Sequence, residues 1–171
     1  YTLTGKSLLW EQELVLASRT FSVPILVMKC LQGKNPETGV EEKDKSKAIG
    51  IGYNFARFAD NGGEDSNAPL EVKLKFLEDY RKGVELLISS GSDRGKDFEE
   101  AKNIFARATK ITRKYLVDDK ERVFADNFGS SLFAFKSLPR KVKNSFFKHF
   151  DKMAAGMIHY LKNPPEKIEH L

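Results

Sequence analysis

The stretch 53-YNFARFADNGGED-65 brings several reactive side chains together along a short length of chain. Tyr53 offers an aromatic hydroxyl, Arg57 a guanidinium, and Asp60, Glu64 and Asp65 a cluster of carboxylates. With Tyr53 as zero and about 100° per residue, Arg57 falls near +40°, Asp60 near −20° and, if the helix continues, Glu64 near +20°. One stripe of one helix then carries all four groups. Like charges this close repel, so either solvent screens them or something positive lies among them. Ile49, Ile51, Phe55, Phe58 and Ala59 flank the stripe with apolar surface. Much of this helix should therefore be buried, and buried charges need partners.

Two chemistries fit the pattern. Arg57 and Asp60, at i and i+3, can form an ion pair that serves as a structural clasp and leaves Glu64 and Asp65 to solvent. Alternatively, Asp60 and Glu64, one turn apart, can hold a divalent cation. A hard ion such as Mg²⁺ takes oxygen ligands and commonly shares them with a substrate phosphate. Arg57 would meet the same phosphate in bidentate fashion.

The elements that must position these residues are helical. Apolar spacing predicts helices over about 44–60, 68–89, 98–116, 119–136 and 140–162. Upstream, 8-LLWEQELVLAS-18 fits a buried stripe only loosely, and a short helix over about 24–32 begins at Pro24. Asn61, Gly62 and Gly63 are expected to end or loosen the first of the strong helices. Asp97 offers an N-cap, as do Asp118 and Asp119, and Leu138-Pro139 separates the last two segments. No run of residues alternates in the manner of a half-buried strand. The expected fold is all-α, one domain over residues 1–171, a bundle of about six to seven helices. Phe124, Phe128, Phe133, Phe135, Phe146, Phe147 and Phe150 are expected in its core, and Trp10 with them.

Composition narrows the classes. The chain has 171 residues, 29 basic and 24 acidic, and is 40% hydrophobic, which suits one globular domain. Cys30 is the lone cysteine, so it supports neither an internal disulfide nor a metal-binding spacing, and reads as an inert buried thiol. No segment approaches the ~20 consecutive apolar residues that span a bilayer. Basic residues mostly alternate with acidic ones. The exception is 136-KSLPRKVKNSFFKHFDK-152, which can meet a phosphate, a membrane surface or nucleic acid. Neither a helix-turn-helix nor a basic strip interleaved with aromatics supports a nucleic-acid partner. His149 and His159 align too loosely on a helix to read as metal ligands.

Four segments, in order, resemble the squalene/phytoene synthase family of head-to-head prenyl synthases. These are 17-ASRTFSVPI-25, 53-YNFARFAD-60, the acidic cluster 60-DNGGED-65, and 153-MAAGMIHYL-161. They look like the family's Ser-Arg-x-Phe segment, its Tyr-x-x-x-Arg-x-x-Asp helix, its first aspartate-rich motif and its Met-x-x-Gly-Met helix. The resemblance implies the first part of an isoprenoid synthase fold. It also implies a Mg²⁺-dependent condensation of two prenyl diphosphates, farnesyl or geranylgeranyl, with NADPH used if squalene is formed. Asp60 and Glu64 would hold Mg²⁺, with Asp65 an adjacent acid. Arg57 and Arg19 would neutralise phosphate oxygens, Ser18 would hydrogen-bond to them, and Phe21 would line the prenyl cavity. Tyr53 would lie beside the place where the substrate ionises, making Tyr53 and Arg57 the candidate catalytic residues. A cytoplasmic location with peripheral membrane contact goes with such a substrate.

This sequence departs from the family pattern in two places. Glutamate stands at position 64 where aspartate is usual, with Gly62-Gly63 before it. The family's second aspartate-rich motif has no counterpart, since only Glu166 and Glu169 follow Met157. The expectation is thus the N-terminal portion of such an enzyme, a half-site completed by further chain or by a homo- or hetero-oligomer. The alternative is a non-catalytic helical relative that binds partners or assists assembly. A truncated bundle should also expose apolar helix faces.

Overall fold

A computed structural model describes Gln12, residues 42–89 and residues 95–165. Its described part is all-helical: six α-helices, and no strand among the described residues. They are α1 (Glu42–Ala59), α2 (Leu70–Ser89), α3 (Gly95–Thr112), α4 (Asp119–Asp126), α5 (Gly129–Lys136) and α6 (Arg140–Lys162). A π-helical turn, Asp60–Glu64, continues α1 directly, and a 3₁₀ turn, Arg113–Tyr115, continues α3. The segments over 8–18 and 24–32, with Trp10, Ser18, Arg19, Phe21 and Cys30, lie outside the described residues, as do Glu166, Glu169 and His170.

Each long helix buries the face its sequence dictates. On α1 the buried apolar positions include Ile51, Phe55, Phe58 and Ala59, spaced by four, three and one. On α2 they are Phe76, Leu77, Tyr80, Val84 and Leu87, and on α3 Phe98, Ala101, Ile104, Phe105 and Ala108. The α2 helix is the organising element, packing along both α3 and α6 while its first turns meet the π turn. The α1 helix packs on α5 and α6.

Aromatic rings fill the space where α1 meets the other helices. Phe55 stacks on Phe150 of α6 at 5.0 Å and meets Phe105, Phe128 and Phe135. Phe58 stacks on Phe128 at 4.0 Å and lies against Phe76 and Phe105. Tyr80, fully buried among these rings, donates its hydroxyl hydrogen to the Phe55 carbonyl at 3.1 Å. Such ring pairs add about 0.5–1.5 kcal/mol each beyond area burial, so they fix the α1–α2–α6 geometry firmly.

The expected core set holds for Phe124, Phe128, Phe135 and Phe150, and Phe146 and Phe147 pack partly buried against it. Phe133 differs: it lies at the surface, against Phe98 and beneath the Lys102 ammonium. Two local expectations are corrected. The segment expected as one helix over 119–136 is two helices, because Asn127 and Phe128 break it ahead of Gly129. Asp97 lies inside the first turn of α3 rather than capping it. Of the two outcomes expected at Gly62 and Gly63, an end to α1 or its loosening, the second is found: the helix widens into the π turn. Asp118 does cap α4, its Oδ1 accepting the Glu121 N–H at 2.9 Å, while Glu121 accepts the Val117 N–H in return.

Candidate functional site

The π turn decides where the acidic side chains go. A π turn closes its hydrogen bonds from i to i+5, one residue wider than an α turn. Here the Asp65 N–H donates to the Asp60 carbonyl at 2.8 Å. Asp65, five residues on, is therefore brought round above Asp60, and Glu64 is turned back from its α-helical position. The guanidinium of Arg57 passes Asp60 and pairs with Asp65, Nη2 to Oδ2 at 3.7 Å. The clasp expected between Arg57 and Asp60 is thus made with Asp65 instead. Both partners are partly exposed, 34% and 44%, so this pair contributes little to stability.

The two glycines explain the widening. A Cβ on Gly62 would stand 2.2 Å from the Phe76 ring, and one on Gly63 would stand 2.7 Å from Leu77 Cδ2. Only bare backbone lets α2 approach so closely, although each glycine costs the helix about 1 kcal/mol relative to alanine. Further ties fix the segment beyond. The Ser66 hydroxyl donates to the Gly62 carbonyl at 2.9 Å, Lys73 Nζ donates to the Glu64 carbonyl at 3.2 Å, and the Asn67 N–H donates to the Tyr115 carbonyl at 2.9 Å. The acidic cluster is held by its backbone, not by neutralisation of its charges.

Its electrostatics show the consequence. Burial first, then the charges of Glu64 and Asp65, push the Asp60 carboxyl up to about 6, against the opposing pull of Arg57. Beneath it, burial and the charge of Asp60 raise the Tyr80 hydroxyl well above its ordinary value. The acidic cluster is under-neutralised, a condition that an added cation relieves.

Glu64 also forms one wall of a pocket of about 200 Å³, and the other described residues that line it are Gly156, Met157, Tyr160 and Leu161 of α6. The acidic segment and the Gly-Met segment, remote in sequence, thus share a concavity. Small-molecule pockets usually hold about 300–1,000 Å³, so this one suits a portion of a ligand better than a whole one. Tyr53 and Arg57 lie outside that lining, Tyr53 being half-buried against the core. The structure brings Arg57, Asp60, Glu64 and Asp65 together, through the Arg57–Asp65 pair and the charges that act on Asp60, while Tyr53, one helical turn before Arg57, packs half-buried against the core.

A divalent cation fits these residues only in company. Among the described residues no three His, Cys, Asp or Glu side chains form a metal-holding group. Mg²⁺ is commonly bound through one or two carboxylates with substrate phosphate completing its shell, and Asp60 and Glu64 can supply that much. The exposed His149 and His159 read as surface residues. Sequence reading gave no role to Met157, Tyr160 and Leu161, the apolar wall; its signal was the Gly-Met motif itself.

Comparison with known protein families, with curated proteins and with solved structures yields no match. The described residues thus define an all-helical bundle with an acidic turn beside a small pocket.

Proposed function

We propose that this chain carries a diphosphate-binding half-site of the squalene/phytoene synthase type, acting with Mg²⁺ on prenyl diphosphates. The supporting observation is the shared pocket: Glu64 of the acidic segment faces Met157, Tyr160 and Leu161 across about 200 Å³. An amphiphile with an anionic head and an apolar tail matches such a juxtaposition once the head brings cations to the acids. Bound there, Mg²⁺ would stabilise the negative charge that develops on a departing diphosphate.

Each residue has a part in this scheme. Asp60 and Glu64 supply the carboxylates, and a cation between them would offset the burial and like-charge repulsion that raise the Asp60 proton affinity. Arg57, released from Asp65, turns to the phosphate oxygens with its planar fork. Met157 and Leu161 shield the first carbons of the tail from water, which would otherwise quench an allylic cation. Ser18, Arg19 and Phe21 are assigned by the resemblance alone. The test is release of diphosphate from farnesyl or geranylgeranyl diphosphate with Mg²⁺. Release that disappears in Asp60→Ala is the expected result, and its absence from the intact protein would remove the catalytic role.

A second reading has its own support. With no three-donor metal group among the described residues and Arg57 engaged by Asp65, a non-catalytic relative that binds partners through the same scaffold also fits. Binding of a prenyl diphosphate analogue without turnover would favour it.

A further inference from the structure

The chain's excess positive charge is concentrated on one helix. Of the 29 basic and 24 acidic residues, α6 holds six basic ones (Arg140, Lys141, Lys143, Lys148, Lys152 and Lys162) and a single acid, Asp151. Removing that helix leaves 23 of each sign, so the net +5 of the protein is the net charge of α6. Asp151 does not soften this field, because Arg81 of α2 holds it at 2.7 Å.

The charges are also arranged. Phe150 and Ala154 mark the buried side of α6. Lys141, Lys148, Lys152 and His159 follow one another at intervals of seven, four and seven residues, a helical row on the opposite side. All four are exposed, and so is Lys162 at the end of the row. At about 1.5 Å per residue the row from Lys141 to Lys162 is about 32 Å long. Among the described residues no hydrogen bond, ion pair or ring contact engages the exposed Lys141, Lys148 or Lys152 side chains.

We propose that this face of α6 lies on an anionic lipid bilayer surface. A row of lysines in one line meets a plane along its whole length, and clusters of four to eight basic residues on an amphipathic helix suit acidic headgroups. Nucleic acid fits the same charge less well. The α6 helix packs along α2 and against α1, and neighbours about 8–10 Å away block its entry into a groove about 12 Å wide. The row also carries lysine, a point charge, rather than the arginine forks that grip individual phosphates and base edges. Tyr160, 53% exposed, flanks the row and is a residue type that settles at membrane interfaces. This inference does not depend on the site proposed above.

The test is co-flotation of the full chain with vesicles of mixed phosphatidylcholine and phosphatidylserine. Each lysine beside such a surface is worth about fivefold in partitioning, so Lys141→Gln/Lys148→Gln/Lys152→Gln should weaken binding about 100-fold. These positions are exposed, and an unchanged melting temperature will show that the variant is folded. Binding should also fade as salt shortens the Debye length. Failure to float with the anionic vesicles, or equal binding by the triple variant, overturns the proposal. Displacement from the vesicles by an equal charge of single-stranded oligonucleotide would overturn it in favour of nucleic acid.

Discussion

Two stretches of α1 and its continuation, a turn apart, solve opposite problems. At Phe55 and Phe58 every surface is met by another ring, and local preference, burial and packing agree. At Asp60, Glu64 and Asp65 the backbone is pinned as firmly, yet the charges it presents oppose one another. Consistency between levels is what makes a core, and its local violation, kept in place by rigid surroundings, is the mark of a site. The contrast can be broken or sharpened by mutation.

The largest effect belongs to the rings. Phe55→Ala leaves a void among Phe105, Phe128, Phe135 and Phe150 and should cost about 3–5 kcal/mol, measured by urea denaturation. Next comes the glycine contact. Gly62→Ala drives a methyl into Phe76 and should cost about 1–3 kcal/mol. Gly156→Ala is its control: among the described residues nothing lies within 4 Å of the new Cβ, and a helix interior gains up to about 1 kcal/mol. Equal costs for the two would remove the account of the π turn.

The acidic patch should respond in the opposite sense. The Asp60 carboxyl is raised from 3.8 to about 6, so the folded state holds its proton more tightly than the unfolded chain. Its stabilising contribution is complete below about pH 4 and is lost as pH rises through about 6. Asp60→Asn should therefore stabilise the protein at pH 8 by about 1 kcal/mol, after allowance for half-exposure, and make no difference at pH 3.5. Thermal melts at the two pH values check this; destabilisation at pH 8 would contradict it. Smallest of all is the Arg57–Asp65 pair. Asp65→Asn should change stability by less than about 0.5 kcal/mol, whatever the salt concentration.

Much of the fold was legible in the chain, and particular residues show why the rest was not. The helix over 140–162 and that over 68–89 announce themselves by apolar spacing and by prolines just ahead of them, and both were found within a residue or two. The break at Asn127 carried no proline, and apolar spacing runs straight across it. Local propensity says only that the glycines end or loosen the helix, whereas contact with Phe76 and Leu77 decides between the two. In the site, the stripe of Arg57, Asp60 and Glu64 was visible at α-helical spacing. The change of partner to Asp65 was not, since it follows from the wider turn. The pocket wall at 156–161 depends on how α6 crosses the bundle, which no local pattern encodes.

The direct trial of the proposed site is the melting temperature of the intact protein with Mg²⁺, with a non-hydrolysable farnesyl diphosphate analogue, and with both. Ligand at a hundred times its dissociation constant adds about 2.7 kcal/mol, or a rise of about 5–10 °C in a chain of this size. The prediction is a rise that needs both ligands and vanishes in Asp60→Ala. No rise with both present, or a rise unchanged by Asp60→Ala, would contradict it.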